Sequence, residues 1–254
     1  MIVLKSPQEI EKIRVSGRLV REALQHIGAM VQPGVTTLEL NEAAEHFLLA
    51  RGAKLAFKGY RRGPQEPPFP AALCTSINDE IVHGIPSPRR KLREGDIISL
   101  DLGAAIDGYY GDAAVTLPVG EVSDEARRLL DVTRVSLDHA IDMALSGNRL
   151  QDISYAVQSY VEANGFSVVR DFVGHGIGRA PHEDPQIPNF GKPGRGKRLR
   201  PGMVLAIEPM VNAGTFEVRI LEDHWTAVTE DGSLSAHFEH TIAITPEGPD
   251  ILTQ

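Results

Sequence analysis

Residues 97–118 read Ile-Ile-Ser-Leu-Asp-Leu-Gly-Ala-Ala-Ile-Asp-Gly-Tyr-Tyr-Gly-Asp-Ala-Ala-Val-Thr-Leu-Pro. Two apolar, β-favouring runs flank Asp107-Gly108, a dipeptide that favours a tight turn between antiparallel strands. Each run carries one aspartate, Asp101 before the turn and Asp112 after it. The two are equidistant from the Ile106-Asp107 bond. Pairing about that bond is expected to set them nearly opposite on one face, with Cβ atoms roughly 5 Å apart. Carboxylates that close, between apolar runs, repel each other and resist desolvation, so they require a proton or a cation between them. Taken alone, the stretch is equally compatible with a solvated hairpin face. The rest of the chain decides.

The chain has 254 residues, 42% hydrophobic and 24% charged, enough to bury a large core. Its net charge of −8 argues against nucleic acid or an anionic membrane as the main partner. The opening Met-Ile-Val-Leu-Lys-Ser-Pro lacks the basic-then-apolar form of a signal peptide. No apolar run approaches the roughly 18 residues of a membrane span. The single cysteine, Cys74, excludes an internal disulfide and fits a reducing cytoplasm, the expected location. No Cys/His-rich zinc module is present.

Outward from the hairpin, Ser6-Pro7-Gln8-Glu9 combines an N-cap serine, a proline at the first helical position and a capping-box glutamate. Ile10, Ile13, Gly17, Val20, Leu24, Ile27 and Val31 then form one mostly apolar stripe, stopped by Pro33-Gly34. A second helix is expected over 37–50, with Leu40, Ala43, Phe47 and Ala50 inward and Gly52 closing it. Four prolines make residues 60–70 a loop. Residues 71–86 read as a strand and its connection. Ser123 caps a third helix running to about Leu145, broken by Ser146-Gly147-Asn148.

An internal repeat follows. Gly34, Leu40, Ala43, Phe47 and Gly52 reappear as Gly147, Ile153, Ala156, Tyr160 and Gly165, all at an offset of 113. The order of elements agrees as well, so the chain reads as a duplicated α-plus-β unit, with halves of about 1–120 and 121–254 forming one domain. A site is expected where the halves meet.

The second half supplies further donors. Asp171-Phe-Val-Gly174-His175-Gly176-Ile-Gly178 is glycine-rich around one histidine, letting backbones approach while the imidazole projects. Pro201-Gly202-Met-Val-Leu-Ala-Ile-Glu208-Pro209 ends an apolar strand on a glutamate, and Ser235-Ala-His237-Phe-Glu239-His240-Thr places another inside a strand. Alternation puts Glu239 on the face opposite Phe238 and His240. Asp101, Asp112, His175, Glu208 and Glu239 make a hard, oxygen-rich set suited to divalent first-row metals. Four buried negatives are best balanced by two dications, held through bridging carboxylates as in hydrolytic two-metal sites.

The segments Asn78-Asp79-Glu80-Ile-Val-His83-Gly-Ile-Pro86, Asp101…Gly108-Tyr-Tyr-Gly-Asp112, Gly174-His-Gly-Ile-Gly178…His182-Glu183-Asp-Pro185, Ile207-Glu208-Pro209 and Glu239-His-Thr241 resemble the type I methionine aminopeptidases. They stand in that family's order and spacing, and the likeness runs from about Ser6 to the C-terminus. The resemblance implies the pita-bread α/β (α+β) fold, with two pseudo-symmetric halves, a central antiparallel sheet and outer helices. It implies a metal-dependent hydrolase that removes the initiator methionine from nascent proteins with a small second residue, through attack of metal-bound water on the scissile carbonyl. Two divalent ions are implied, drawn from Co, Mn, Fe, Zn or Ni. By the same resemblance Asp101 chelates one ion, Asp112 and Glu239 bridge, and His175 and Glu208 bind the other. Glu208 takes the proton of the attacking water. His182 contacts the scissile amide and His83 holds substrate near the leaving nitrogen.

A thioether needs a snug, aromatic-walled cavity. Cys74 and Trp225 fall at positions resembling pocket residues, and Tyr60 or Phe69 is expected to add an aromatic wall. Ordinary core packing is the competing account for Cys74 and Trp225. Two departures touch this wall: the 60–74 loop is longer and richer in proline than in many relatives, and Pro181 stands where many carry an aromatic residue before His182. Arg195-Gly-Lys197-Arg198-Leu-Arg200 is expected to be a solvated loop. The expected partners are peptide and nascent-chain N-termini, with transient ribosome contact and no membrane or nucleic acid, and the expected state is a monomer. Two rival functions compete with this one. A proline-directed peptidase of the same fold usually carries an extra N-terminal domain, whereas here the first core helix begins at Ser6. A metal-free peptide-binding homologue loses metal ligands, whereas all five are present. The short span from His182 to Glu208 leaves no room for the helical insertion of type II enzymes.

Overall fold

Ser6 opens the first helix through a complete capping box: its hydroxyl accepts the Glu9 N–H and the Glu9 carboxylate accepts the Ser6 N–H at 2.9 Å. This is a computed structural model, and it describes residues 1–63 and 66–254; Pro64 and Gln65 of the expected 60–70 loop lie outside the described residues. Helix α1 (Pro7–Gly28) buries Ile13, Gly17, Val20, Leu24 and Ile27, the expected stripe. It stops short of Val31 because Met30 and Val31 donate instead to the carbonyls of Ile27 and Gly28, tightening the last turn.

Helix α2 (Thr37–Leu49) is also capped by a box, Thr36 with Glu39. Its buried face is Leu40, Asn41, Ala44 and Leu48. Of the expected Leu40, Ala43, Phe47 and Ala50, Leu40 is buried, Ala43 and Phe47 are half-buried against the same core, and Ala50 is exposed. Asn41 explains the rotation, since its Oδ1 accepts the N–H groups of Ala72 and Leu73 at 2.9 and 3.1 Å. Phe47 packs sideways instead, stacked on His26 of α1 at 5.2 Å. Helices α3 (Asp124–Asp142) and α4 (Leu150–Ala163) follow, α3 capped by Ser123 as expected and ending before Leu145. Among the described residues no helix is long and apolar enough to cross a membrane.

The strands of the first half are β1 (Lys54–Leu55), β2 (Leu73–Ile77), β3 (Glu80–Val82), β4 (Ile97–Ile106) and β5 (Tyr109–Pro118). The second half adds β6 (Ser167–Val168), β7 (Val173–Gly176), β8 (Glu183–Pro188), β9 (Val204–Ile207) and β10 (Met210–Asn212). It then continues with β11 (Val218–Ile220), β12 (Ala227–Thr229), β13 (Ser235–His237), β14 (Glu239–Ile244) and β15 (Pro249–Ile251). Nine of them form one sheet in the order β1-β4-β5-β14-β9-β7-β8, with β2 on β4 and β15 on β14. The halves join where β5 pairs antiparallel with β14, Ala114 against Glu239.

Alternation sorts the sheet residues. Leu100, Leu102, Ala104 and Ala113 pack into one apolar core with α1 and α2, while Leu205, Ile207 and Ile242 pack into another with α3 and α4. Asp101, Asp112 and Glu208 consequently point to the other face. The hairpin itself differs from expectation by one step. Asp107 and Gly108 both take positive φ, 50° and 77°, so the turn is centred on the bond between them. Asp101 therefore pairs with Ala114 and Asp112 with Gly103. The two aspartates share a face as diagonal neighbours, not as an opposed pair.

The same hydrogen bonds recur in both halves. Gly34 donates to Leu92 and Gly147 to Leu199; Thr37 donates to Arg90 and Leu150 to Lys197; Ala53 donates to Leu48 and Phe166 to Val161. Gly95 and Gly202 adopt φ of 90° and 91°, and β4 and β9 each begin two residues later. Asp101 on β4 and Glu208, just past the end of β9, each stand six residues beyond those glycines.

Helix α1 lies so close to β5 that Gly111 faces Gly17 without side chains between. A Cβ on Gly111 would sit 2.6 Å from the Gly17 nitrogen, and one on Gly17 would collide with the Leu252 carbonyl oxygen. Backbone atoms cannot yield as a flexible side chain does. Gly111→Ala is expected to destabilise by about 1–3 kcal/mol through overpacking, read as a lowered urea midpoint at unchanged slope. An unchanged midpoint would show that helix and sheet can separate freely.

Candidate metal centre

All the residues singled out in the sequence for chemistry or for the pocket line one cavity of about 240 Å³. Asp101 comes from β4, Asp112 from β5, His175 from β7, and Glu239 from the first position of β14. Glu208 directly follows β9, next to Pro209. Asp112 and Glu239 are each only 3% exposed. Gly103, cross-strand from Asp112, leaves the space that carboxylate occupies: a Cβ there would come within 3.1 Å of Asp112 Oδ1.

Asp112, His175 and Glu239 each offer a donor atom within 4.8 Å of the others. Buried Asp101 Oδ1, Asp112 Oδ1 and Glu239 Oε1 have no hydrogen-bond partner among the described residues. Burial pushes the Asp101 carboxyl up to about 7. Asp112, Glu208 and Glu239 are also raised well above the usual carboxylate range, first by burial and then by the neighbouring carboxylates. Burial also lowers His175 to about 3, so its imidazole is neutral. Its Nδ1 lies 2.9 Å from the Gly176 carbonyl, which can only accept, so Nδ1 carries the proton and the Nε2 lone pair is free. Nε2 is 3.4 Å from Glu208 Oε1. Orphaned carboxylate oxygens around an imidazole lone pair fit divalent cations, which would relieve both repulsion and desolvation.

Beside this polar end stands an apolar one. Phe69 meets Trp225 edge-on at 5.3 Å, and the Trp225 Nε1–H donates to the Pro67 carbonyl at 3.1 Å. The proline-rich loop thus forms the wall, and both Tyr60 and Phe69 take part. Cys74 is cross-strand from Asp101, its thiol pushed well up by burial and the adjacent carboxylates. Pro181 is absent from the lining, although His182 beside it faces Tyr60 at 5.0 Å and His175 at 4.3 Å between ring centres. His83 has a backbone φ of 62°, unusual for a residue with a side chain, and its ring is set edge-on to Phe172 at 5.4 Å and Trp225 at 6.0 Å. Burial holds it near 3, so it is neutral and can both give and accept a hydrogen bond. In the basic segment 195–200, Arg195, Lys197, Arg198 and Arg200 are exposed, as expected of a solvated loop, while Leu199 is buried.

Several lining residues escaped sequence reasoning: Phe57, Arg62, Phe172 and Met210. They come from separate segments that no motif joins. His237 escaped too, although it is 1% exposed, with Nε2 3.7 Å from Glu208 Oε2. The signal was available, since alternation along the 235–245 stretch read from sequence puts a residue two positions before Glu239 on its face. The structure divides that stretch at Phe238 into β13 and β14.

The fold and this donor set define a metallopeptidase. Residues 11–246 match the model of metallopeptidase family M24, and the chain belongs to that family. Within it the likeness is to methionine aminopeptidases. The methionine aminopeptidase of Clostridium acetobutylicum is 53% identical, the match covering 100% of this chain and 99% of that one. The crystal structure of methionine aminopeptidase from Thermotoga maritima superposes with a TM-score of 0.96 at 49% identity, covering 100% of both chains. The architecture is therefore the pita-bread fold. A prolidase from Pyrococcus furiosus shares it at a TM-score of 0.75 and 22% identity, but the match covers only 65% of that chain.

Proposed function

We propose that the protein removes N-terminal methionine from peptides and nascent chains whose second residue is small. One observation carries this: four carboxylates, Asp112 and Glu239 buried and Asp101 and Glu208 half-buried, share a cavity with a neutral imidazole and an apolar wall of Phe69, Cys74 and Trp225. A linear thioether side chain fits the apolar end and places its own peptide carbonyl at the polar end. The likeness to methionine aminopeptidases over the whole chain agrees.

Asp101, Asp112, His175, Glu208 and Glu239 would together hold two divalent ions. The ions belong to the set Co, Mn, Fe, Zn or Ni. When bound, they polarise the scissile carbonyl and activate water for attack near neutral pH. The chain's own groups do the rest. Glu208 accepts the proton released on attack and delivers it to the leaving nitrogen. His182 donates to the oxygen that gains charge, and His83 holds the leaving nitrogen in place. Residues 1–254 would act as one catalytic domain whose halves each bring carboxylates to the shared cavity.

The test is release of the first residue from Met-Ala-Ser and from Ala-Pro-Ala by chelator-treated protein, with and without added Mn²⁺ or Co²⁺. Metal-dependent release of methionine, with Ala-Pro-Ala untouched, is the expected result. Cleavage before proline instead would move the protein to the proline-directed peptidases that share its fold.

A further inference from the structure

We infer that Glu183 and Lys5 are positioning residues for His182, a step that rests on the catalytic role proposed for that histidine. The His182 ring has no hydrogen bond among the described residues; it lies against the rings of His175 and Tyr60. Its place is consequently set by the backbone that carries it, residues 178–183. That backbone is clamped by its neighbour in sequence. Glu183 Oε1 accepts the N–H of Arg179 at 2.8 Å and of Ala180 at 3.2 Å, while Oε2 receives the Lys5 ammonium at 2.5 Å. A carboxylate that accepts two amides and one ammonium makes strong, charge-assisted bonds that fix the loop's curvature.

The Lys5 side chain is 3% exposed, and that of Glu183 is 17% exposed. A lysine so buried needs its partner, because an ammonium left unpaired there would keep the full cost of its desolvation. Lys5 is itself fixed, its N–H donating to the Gly202 carbonyl at 2.7 Å. Its stem crosses the loop at Gly178, where a Cβ would collide with Lys5 Cε and meet Nζ at 2.8 Å. The loop is also pinned from below, since the Tyr110 N–H donates to the Gly178 carbonyl at 2.8 Å. The arm preceding α1 and the loop bearing His182 thus meet on one carboxylate, while the hairpin strand bearing Asp112 holds the same loop through the Gly178 carbonyl. Such an arrangement holds a donor within the small tolerance that transition-state contacts demand, where about 1 Å of misplacement costs about 100-fold in rate.

The experiment is a double-mutant cycle on methionine release from Met-Ala-Ser by the metal-loaded protein. His182→Ala, Glu183→Ala and the double variant are compared for kcat and KM, with Glu183→Gln and Lys5→Met beside them. Glu183→Ala is expected to lower kcat about tenfold with KM within about twofold, and to cause no further loss once His182 is alanine. Glu183→Gln keeps an oxygen for the two amides, so it retains more kcat than the alanine variant. A loss that adds in full to that of His182→Ala overturns the inference, because Glu183 then acts elsewhere. Wild-type kcat in folded Glu183→Gln and Lys5→Met overturns it as well, and these milder variants serve if Glu183→Ala does not fold. Full activity in His182→Ala removes the role of His182 itself, and the inference falls with it. The metal-dependent release assay on the unaltered protein stays intact in that case, which separates the two failures.

Discussion

Glu208→Gln is expected to leave the protein folded and lower kcat by roughly 10³-fold, within the range that loss of a positioned general base produces. The substitution keeps the side chain's size and one oxygen, so the cavity holds its shape. What disappears is the capacity to take a proton. Glu208 is the carboxylate best placed to do so, because it stands at the end of β9 with Oε1 3.4 Å from His175 and Oε2 3.7 Å from His237, both neutral imidazoles. Without metal the same variant should melt no lower than the parent, because it removes one of four mutually repelling carboxylates. Calorimetric titration with Mn²⁺ separates the proton role from the ligand role. A kcat within about tenfold of the parent at saturating metal would take Glu208 out of the mechanism.

Removing the metal is expected to have the second largest effect, on rate and stability together. Chelator-treated protein should release no methionine above background. Its stability should also acquire a particular pH dependence. Asp101 has a folded-state value of about 7 against 3.8 when unfolded, so the folded chain holds its proton more tightly. That contribution is fully present at low pH and is lost as pH rises from about 4 through 7; Asp112, Glu208 and Glu239, raised by burial and by one another, add to the loss in the same direction. The metal-free protein should therefore melt lower at about pH 8 than at about pH 5, a difference on the order of a few kcal/mol. Added Mn²⁺ should reverse the trend, because cations compete with protons for the same oxygens and bind better as pH rises. A melting curve indifferent to chelator at about pH 8 would mean that these carboxylates are neutralised without metal.

Much of this was legible in the chain because the chemistry sits in short, strongly marked segments. Asp101 and Asp112 flank a turn dipeptide, and Glu208 and Glu239 interrupt apolar strands, where a carboxylate has no other reason to be. The capping box at Ser6 is local and was readable for the same reason; the matching box of Thr36 with Glu39 was overlooked. Register was harder. A turn centred one bond later than expected moves Asp112 from opposite Asp101 to opposite Gly103, and only the φ values of Asp107 and Gly108 decide between the two. The face of α2 was misjudged because apolar residues surround much of that helix, and its rotation is set by what Asn41 binds, a contact about 30 residues distant. The rim of the cavity was least readable. Arg62, Phe172 and Met210 carry no spacing signal, and tertiary structure alone brings them together.

Asp101 and Glu208 occupy the same address in the two halves, six residues beyond matching glycines. They differ by one methylene. In a twinned scaffold such an address can be inherited twice and then edited once without disturbing its copy. Here the shorter acid stays beside the thiol of Cys74, while the longer reaches between two imidazoles. Natural selection working on a doubled ancestor would have found two independent dials in one cavity, the first suited to grip and the second to proton traffic.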